Sequence, residues 1–309
     1  MNKFTKAGFA GLFLSLTAVM ASCGGSSTST TDTAAVTADV YPVTVGDLTL
    51  EAQPVSIISL SPTATEMLYA IGAGSQVVAV DEYSNFPAEA VALGTKLSGF
   101  EPNIEAISSY SPDLVIVSYD PGSLVEQLGT LNIPVFVAGA AMSLENVYEQ
   151  IEQLGVLTGH SQAAIEVSKT LQTGIEDAVA SVKFSEPPLS YYYELDNTYY
   201  SVTSNTFVGQ IFNLFGMRNI ADNVESGNDY PQLSAEVIVS SDPDFIFLAD
   251  TKCCAQDATT VAARDGWGGL KAVTANQVVE LDDDVASRWG PRVLDLITAI
   301  RDAVAAANS

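Results

Sequence analysis

Residues 161–183 read SQAAIEVSKTLQTGIEDAVASVK. Ala164, Val167, Leu171, Ile175, Ala178 and Val182 recur at steps of three or four, while Glu166, Lys169, Gln172, Glu176 and Asp177 fall mostly elsewhere, which predicts an amphipathic helix. At about 1.5 Å per residue it would be about 33 Å long, enough to cross a small domain. Pro187 and Pro188 stop it soon afterwards. Taken alone, the stretch reads equally well as one more helix packed on a sheet. A phrase repeated on either side of it decides for a rigid strut between two comparable lobes.

Before the helix the phrase is Asn103-Ile104-Glu105, then Ser111-Pro112-Asp113 and the apolar run 114–117. After it come Ser234-Ala235-Glu236, then Asp242-Pro243-Asp244 and the apolar run 245–248. In both, a helix-capping residue stands two places before the Glu, and the Glu seven before the Pro, a repeat kept in register. The capping and the Pro-Asp turn have a structural explanation, and an acid in a first helical turn is favoured by the helix dipole. Two carboxylates at equivalent positions also form a pair of acidic knobs suited to a symmetric partner.

The surrounding chain reads as alternating strands and helices. Strands are expected at 55–60, 77–80, 114–118 and 135–138, with helices at 63–71, 103–110 and 124–131, after a short hairpin at 41–50. Beyond the strut, strands are expected at 189–195, 198–202, 245–249 and 277–281, and helices at 206–215, 234–240 and 291–307. Short turns between alternating elements imply an α/β fold in which each lobe has a mostly parallel, helix-flanked sheet. The expected domains are a lobe over 41–160, the linking helix 161–183 and a lobe over 184–309. Tyr191, Tyr192 and Tyr193, on alternating strand faces, are expected to be packing residues.

Lys3 and Lys6 precede an apolar run at 7–20 and the small-residue site Met20-Ala21-Ser22-Cys23, so residues 1–22 read as a signal peptide. The Cys after the small pair resembles a bacterial lipoprotein signal, which makes Cys23 the lipidation candidate and places the protein outside the cytoplasm on a membrane anchor; ordinary secretion is the alternative. Residues 23–40, rich in Ser, Thr, Ala and Gly, form a flexible tether. Removing the signal takes away two lysines and leaves 10 basic against 37 acidic residues, a formal charge of −27. That charge repels nucleic acid and serves solubility. Cys253 and Cys254, adjacent to each other, are either a vicinal disulfide or free thiols. With one His in the chain and no ligand spacing at these Cys, no metal site is expected.

Several motifs together resemble the substrate-binding lipoproteins of ATP-driven importers, in the cobalamin and ferric-siderophore class. They are Ile57-Ile58-Ser59-Leu60-Ser61-Pro62 with Thr65-Glu66; Glu82-Tyr83-Ser84-Asn85-Phe86-Pro87; Gly99-Phe100 with Asn103-Ile104-Glu105; Tyr230-Pro231-Gln232 with Ser234 and Glu236; and Ser287-Arg288-Trp289-Gly290-Pro291-Arg292. The resemblance implies two α/β lobes joined by one long helix, a ligand held between them, and docking of Glu105 and Glu236 on arginines of a permease dimer served by ATPase subunits. It also implies ligand contacts from Tyr83, Phe100, Tyr200, Tyr230, Asp284 and Arg288. One aromatic of the pattern is Ser118 here, with Tyr119 beside it.

Anionic ferric siderophores call for several cleft cations, and only Arg288 and Arg264 are expected in loops facing the cleft. An aromatic, basic-poor site therefore favours a cobalamin-like corrinoid, with a ferric siderophore or haem as runner-up. Any metal would arrive inside the ligand, so no cofactor of the protein's own is expected, and the protein is expected to act as a monomer. A hydrolase is disfavoured because the single His160 sits at a helix junction, and no spacing fixes a carboxylate pair among Asp81, Glu82 and Asp282 to Asp284. A surface receptor or adhesin on the same fold remains a further reading.

Overall fold

The computed structural model describes residues 39–308. The signal segment 1–22, Cys23 and most of the tether lie outside the described residues. An antiparallel hairpin of β1 (Val43–Val45) and β2 (Leu48–Leu50) comes first. The N-terminal lobe then runs β3 (Ile57–Leu60), α1 (Pro62–Ala70), β4 (Val77–Val80), α2 (Ala88–Val91), α3 (Ile104–Ser109), β5 (Leu114–Val117), α4 (Leu124–Gly129) and β6 (Val135–Val137). Helices α5 (Leu144–Thr158) and α6 (Ser161–Ala180) lead across. The C-terminal lobe runs β7 (Ser190–Glu194), α7 (Phe207–Asn213), β8 (Arg218–Asn219), α8 (Ala235–Ser241), β9 (Phe245–Leu248), α9 (Ala258–Ala262), α10 (Lys271–Thr274), β10 (Val278–Glu280), α11 (Asp283–Ala286) and α12 (Val293–Ala307).

Each lobe carries a four-stranded parallel sheet, ordered β4-β3-β5-β6 and β8-β7-β9-β10. The order is the same in both: second, first, third and fourth strand of the half. The two-α/β-lobe architecture joined by a long helix is thus present. The apolar runs form strands because both sheet faces are buried. Ile57, Leu114, Ile116, Tyr191, Tyr193, Phe245 and Phe247 point into one large core shared by the two sheets and the helices between them. Their neighbours alternate outward: Ile58, Val115 and Val117 into a cluster under α3 and α4, and Tyr192, Ile246 and Leu248 into one around Trp267. The packing role of the three tyrosines holds, with Tyr191 stacked on Phe212 at 4.1 Å between ring centres.

The repeated phrase does the same work in both lobes. Asn103 and Ser234 cap α3 and α8, accepting from the backbone N–H of Ala106 at 2.8 Å and of Val237 at 3.2 Å. Ser111 and Asp242, before the prolines, take left-handed backbone angles, with φ of 49° and 44°. The Asp after each Pro anchors the first strand of its sheet: Asp113 accepts from the N–H of Val55 and Ser56, and Asp244 from the N–H and hydroxyl of Ser190.

Helix α6 begins where expected and ends three residues before Lys183, at Ala180. Its buried stripe, Ala164, Ser168, Leu171, Ile175 and Ala178, follows the periodicity with Ser168 in place of Val167. Gly159, in the left-handed region at φ 77°, ends α5 and turns the chain back against it. The two helices touch at Gly155, where an added Cβ would collide with the Cβ of Ala164. Gly155→Val is therefore expected to destabilise the fold by about 1–3 kcal/mol in chemical denaturation; an unchanged midpoint would mean that the helix pair is not tightly seated.

One strand expectation is corrected. Segment 198–202 makes only an isolated bridge, Tyr200 to Gln232, because Thr198 folds back on Asp196 through its N–H and hydroxyl and Tyr199 is left-handed at φ 72°. The place beside β7 belongs to the two residues of β8.

Candidate functional site

The carboxyl ends of both sheets open on the same cleft, where open α/β sheets hold their ligands. On the N-terminal side lies a cavity of about 370 Å³, floored by Leu60 at the end of β3 and Ser61 after it, Asp81 and Tyr83 after β4, and Ser118 and Tyr119 after β5. Phe100 stands over it, its ring edge-on to Tyr83 at 5.6 Å and tilted against Tyr119 at 6.4 Å. Tyr119 thus supplies the aromatic face missing at Ser118. Gly99 allows this loop to approach, since a Cβ there would stand 3.0 Å from the Leu60 carbonyl oxygen and 3.3 Å from Asp81. Burial pushes the Asp81 carboxyl up, against hydrogen bonds from Ser84 and Tyr83.

A second cavity, of about 400 Å³, lies on the C-terminal side and is mostly apolar. Val202, Phe207, Val208, Tyr230, Ala249 and Leu296 supply much of its wall, with Cys253 at its edge. The ridge Ser287, Arg288 and Trp289 borders both cavities. Tyr83, Phe100 and Tyr230 are all more than half exposed, which is uncommon for large aromatic side chains and leaves their faces free.

Arg288 is committed to protein partners. Nη1 donates to Glu66 at 2.8 Å and to Asn85 at 2.9 Å, and Nη2 to the Tyr83 carbonyl and to Asp284, each at 2.9 Å. Arg292 grips the same Glu66 with bonds of 2.9 and 2.6 Å and lies over the Phe86 ring at 4.3 Å. Glu66, buried in α1, therefore clasps the segment after α11 to the N-terminal lobe. Asp284 also receives bonds from Asn85 at 3.1 Å and Lys252 at 2.6 Å. Its partial burial works to raise its carboxyl, and the Lys252 bond and Arg288 charge outweigh that and hold it below the usual range.

Of the sequence-predicted contacts, Tyr83, Phe100, Tyr119, Asp284 and Arg288 meet at the first cavity and Tyr230 at the second, while Tyr200 lines neither. Arg264, expected to face the cleft, is turned away: its guanidinium holds Glu194 and lies 4.6 Å over Trp267. The Cys253 and Cys254 sulfurs lie 2.6 Å apart, and burial and the neighbouring Cys254 push the Cys253 thiol up to about 12. Glu105 and Glu236 are exposed in the first turns of α3 and α8. Sequence reasoning assigned no role to Glu66, Phe207, Trp289 or Arg292. The Thr65-Glu66 and Ser287–Arg292 motifs were visible, but nothing local joins an acid in α1 to arginines over 200 residues later.

These features define a class: a binding protein whose two α/β lobes, spaced by one helix, hold a ligand between the carboxyl ends of their sheets. Residues 57–285 match the family model described as Periplasmic binding protein, and the chain belongs to that family. It is therefore a substrate-binding protein of the extracytoplasmic type. It is 28% identical to the uncharacterized ABC transporter substrate-binding lipoprotein YvrC of Bacillus subtilis, over 97% of each chain. It is 30% identical to a cobalamin-binding protein of Halobacterium salinarum, over 85% of this chain and 74% of the relative. The crystal structure of the periplasmic vitamin B12 binding protein BtuF of Vibrio cholerae superposes with a TM-score of 0.68 at 26% identity, covering 83% of this chain and 98% of that one.

Proposed function

We propose that this protein captures a cobalamin-like corrinoid in the cleft and delivers it to an ATP-driven importer, acting as a monomer held to the membrane through a lipid on Cys23. The observation that carries the reading is the pairing of exposed aromatic faces with a cleft whose one lining arginine already has its charge paired with Glu66 and Asp284 and donates further to Asn85 and the Tyr83 carbonyl. Flat apolar area binds a large ring at small entropic cost. An anionic ferric chelate would find no unpaired cation among the cavity linings, and a net charge of −27 would not steer it in. The cobalamin-binding relatives favour the same ligand. The metal travels in the ligand, and no cofactor of the protein's own is proposed.

No catalytic role is proposed either: His160 is engaged with Thr158 at the α5–α6 turn. Glu105 and Glu236 are assigned to docking, where rim charges set orientation and association rate more than affinity. Equilibrium dialysis with cyanocobalamin tests the ligand. Phe100→Ala and Tyr83→Ala are each expected to weaken binding about tenfold, as loss of an aromatic anchor usually does. Wild-type affinity for the corrinoid in both variants would move the ligand out of the first cavity, and absence of binding by the wild type would remove the corrinoid reading.

A further inference from the structure

Behind the wall of the second cavity lies a buried acid that the cleft does not use. Asp250, two residues beyond β9, is fully buried, and neither carboxylate oxygen meets a hydrogen-bond donor among the described residues. Glu194, at the end of β7 and equally buried, pairs with Leu248, two residues before Asp250, and its carbonyl accepts from the N–H of Ala249 at 2.9 Å, so the two acids are neighbours on the same face of adjacent strands. Arg264, beyond α9, spends its guanidinium on both Glu194 oxygens, at 2.7 and 2.6 Å, and on Gln256 at 2.7 Å. Tyr192 and Tyr193 of β7, Asp283 of α11 and Cys253 of the next loop complete the titratable groups around it. One cation thus faces two buried carboxyls, and a second ionised carboxylate without a donor is among the costliest things a fold can hold. Two acceptors side by side are both satisfied by a single proton between them.

We propose that Asp250 and Glu194 share one proton in mildly acidic solution, Asp250 standing as a neutral acid that donates to Glu194, and that this proton holds loop 251–256 in place as part of the second cavity's wall. Asp283 holds the first half of the loop, accepting from the Thr251 hydroxyl and from the N–H groups of Lys252 and Cys253, and the second half is held from Asp250 and Arg264. The Asp250 carbonyl accepts from the N–H of Cys254 at 3.2 Å and of Gln256 at 3.4 Å, and the Gln256 side chain ties back to Arg264 and to the Cys254 carbonyl. Cys253 carries the loop to the cavity. Burial, then the charge of Glu194, push the Asp250 carboxyl up to about 7. An acid that holds its proton more tightly folded than unfolded contributes fully below its ordinary range, near about pH 4, loses the contribution as pH rises, and has none left above about 7.

The test uses ligand-free protein, so it does not depend on the identity of the ligand. Asp250→Asn carries the donor permanently. Hydrogen exchange in loop 251–256 is compared between wild type and D250N at each pH, which cancels the intrinsic pH dependence of exchange. Between pH 5 and 6 wild-type exchange is expected to rise about tenfold relative to D250N, one decade per pH unit between the open-state and closed-state titrations, and to level off above about pH 7. Infrared spectra of the wild type are expected to show a carboxylic-acid C=O band at pH 6 that disappears with a midpoint near 7 and is missing from D250N. Identical exchange profiles in the two proteins would overturn the role of the proton in the loop. A wild-type spectrum with no acid band at pH 6 would overturn the shared proton itself, whether or not D250N folds.

Discussion

Glu105→Arg combined with Glu236→Arg is expected to abolish corrinoid uptake in cells while leaving ligand affinity within about twofold of wild type. Both glutamates are exposed in the first turns of short helices, capped by Asn103 and Ser234, at equivalent points of two lobes with the same strand order. Neither borders the two cavities. Reversing them sets like charge against the permease arginines that the family resemblance implies, at a cost of several kcal/mol across a rim interface, enough to prevent productive docking. Each single reversal should slow uptake less, and high salt should narrow the difference. A double variant that folds, binds and still supports uptake would show that docking lies elsewhere.

Glu66→Ala is expected to cost about 3–5 kcal/mol in urea or guanidinium unfolding. The reason is the double grip: Arg288 and Arg292 both donate to Glu66, and all three side chains are mostly buried. Truncating the acid leaves two guanidinium groups facing one another in a half-dry site, with only Asn85, Asp284 and the Tyr83 carbonyl to compensate. Glu66→Gln keeps the shape and some hydrogen bonds and should fall between wild type and alanine. A loss under about 1 kcal/mol for alanine would mean that solvent reaches the clasp and that it behaves as a surface ion pair.

The parts of the fold legible in the sequence are those set by local periodicity and by repetition. The stripe Ala164, Leu171, Ile175 and Ala178 is buried in α6, the apolar runs 114–117 and 245–248 are central strands, and the twice-used Pro-Asp turn anchors the first strand of each sheet. What was not legible depends on partners distant in the chain. Arg218-Asn219 has no strand pattern of its own and pairs only because β7 offers an edge. A β-branched and aromatic run at 198–202 reads as strand, yet the Asp196 side chain turns it. The cleft shows the same division. The aromatic loops after the strands are recognisable in the sequence, and Arg288 and Asp284 line the first cavity beside them, but their charge balance rests on Glu66, Asn85 and Lys252. Arg264 looked free because its counter-ion, Glu194, is 70 residues away.

The central claim is that a corrinoid occupies the cleft, and the protein has a reporter in place. Trp289 borders both cavities, with its ring N–H held by Gln150 at 3.0 Å, whereas Trp267 is fully buried under Arg264. Tryptophan and tyrosine emission should be followed while cyanocobalamin, then haem and a set of ferric siderophores, are titrated into the protein. Saturable quenching by cyanocobalamin at the lowest concentrations of the series, reduced in Trp289→Phe, is the expected result. A saturable response to a ferric chelate or to haem, with none to any corrinoid, would contradict it.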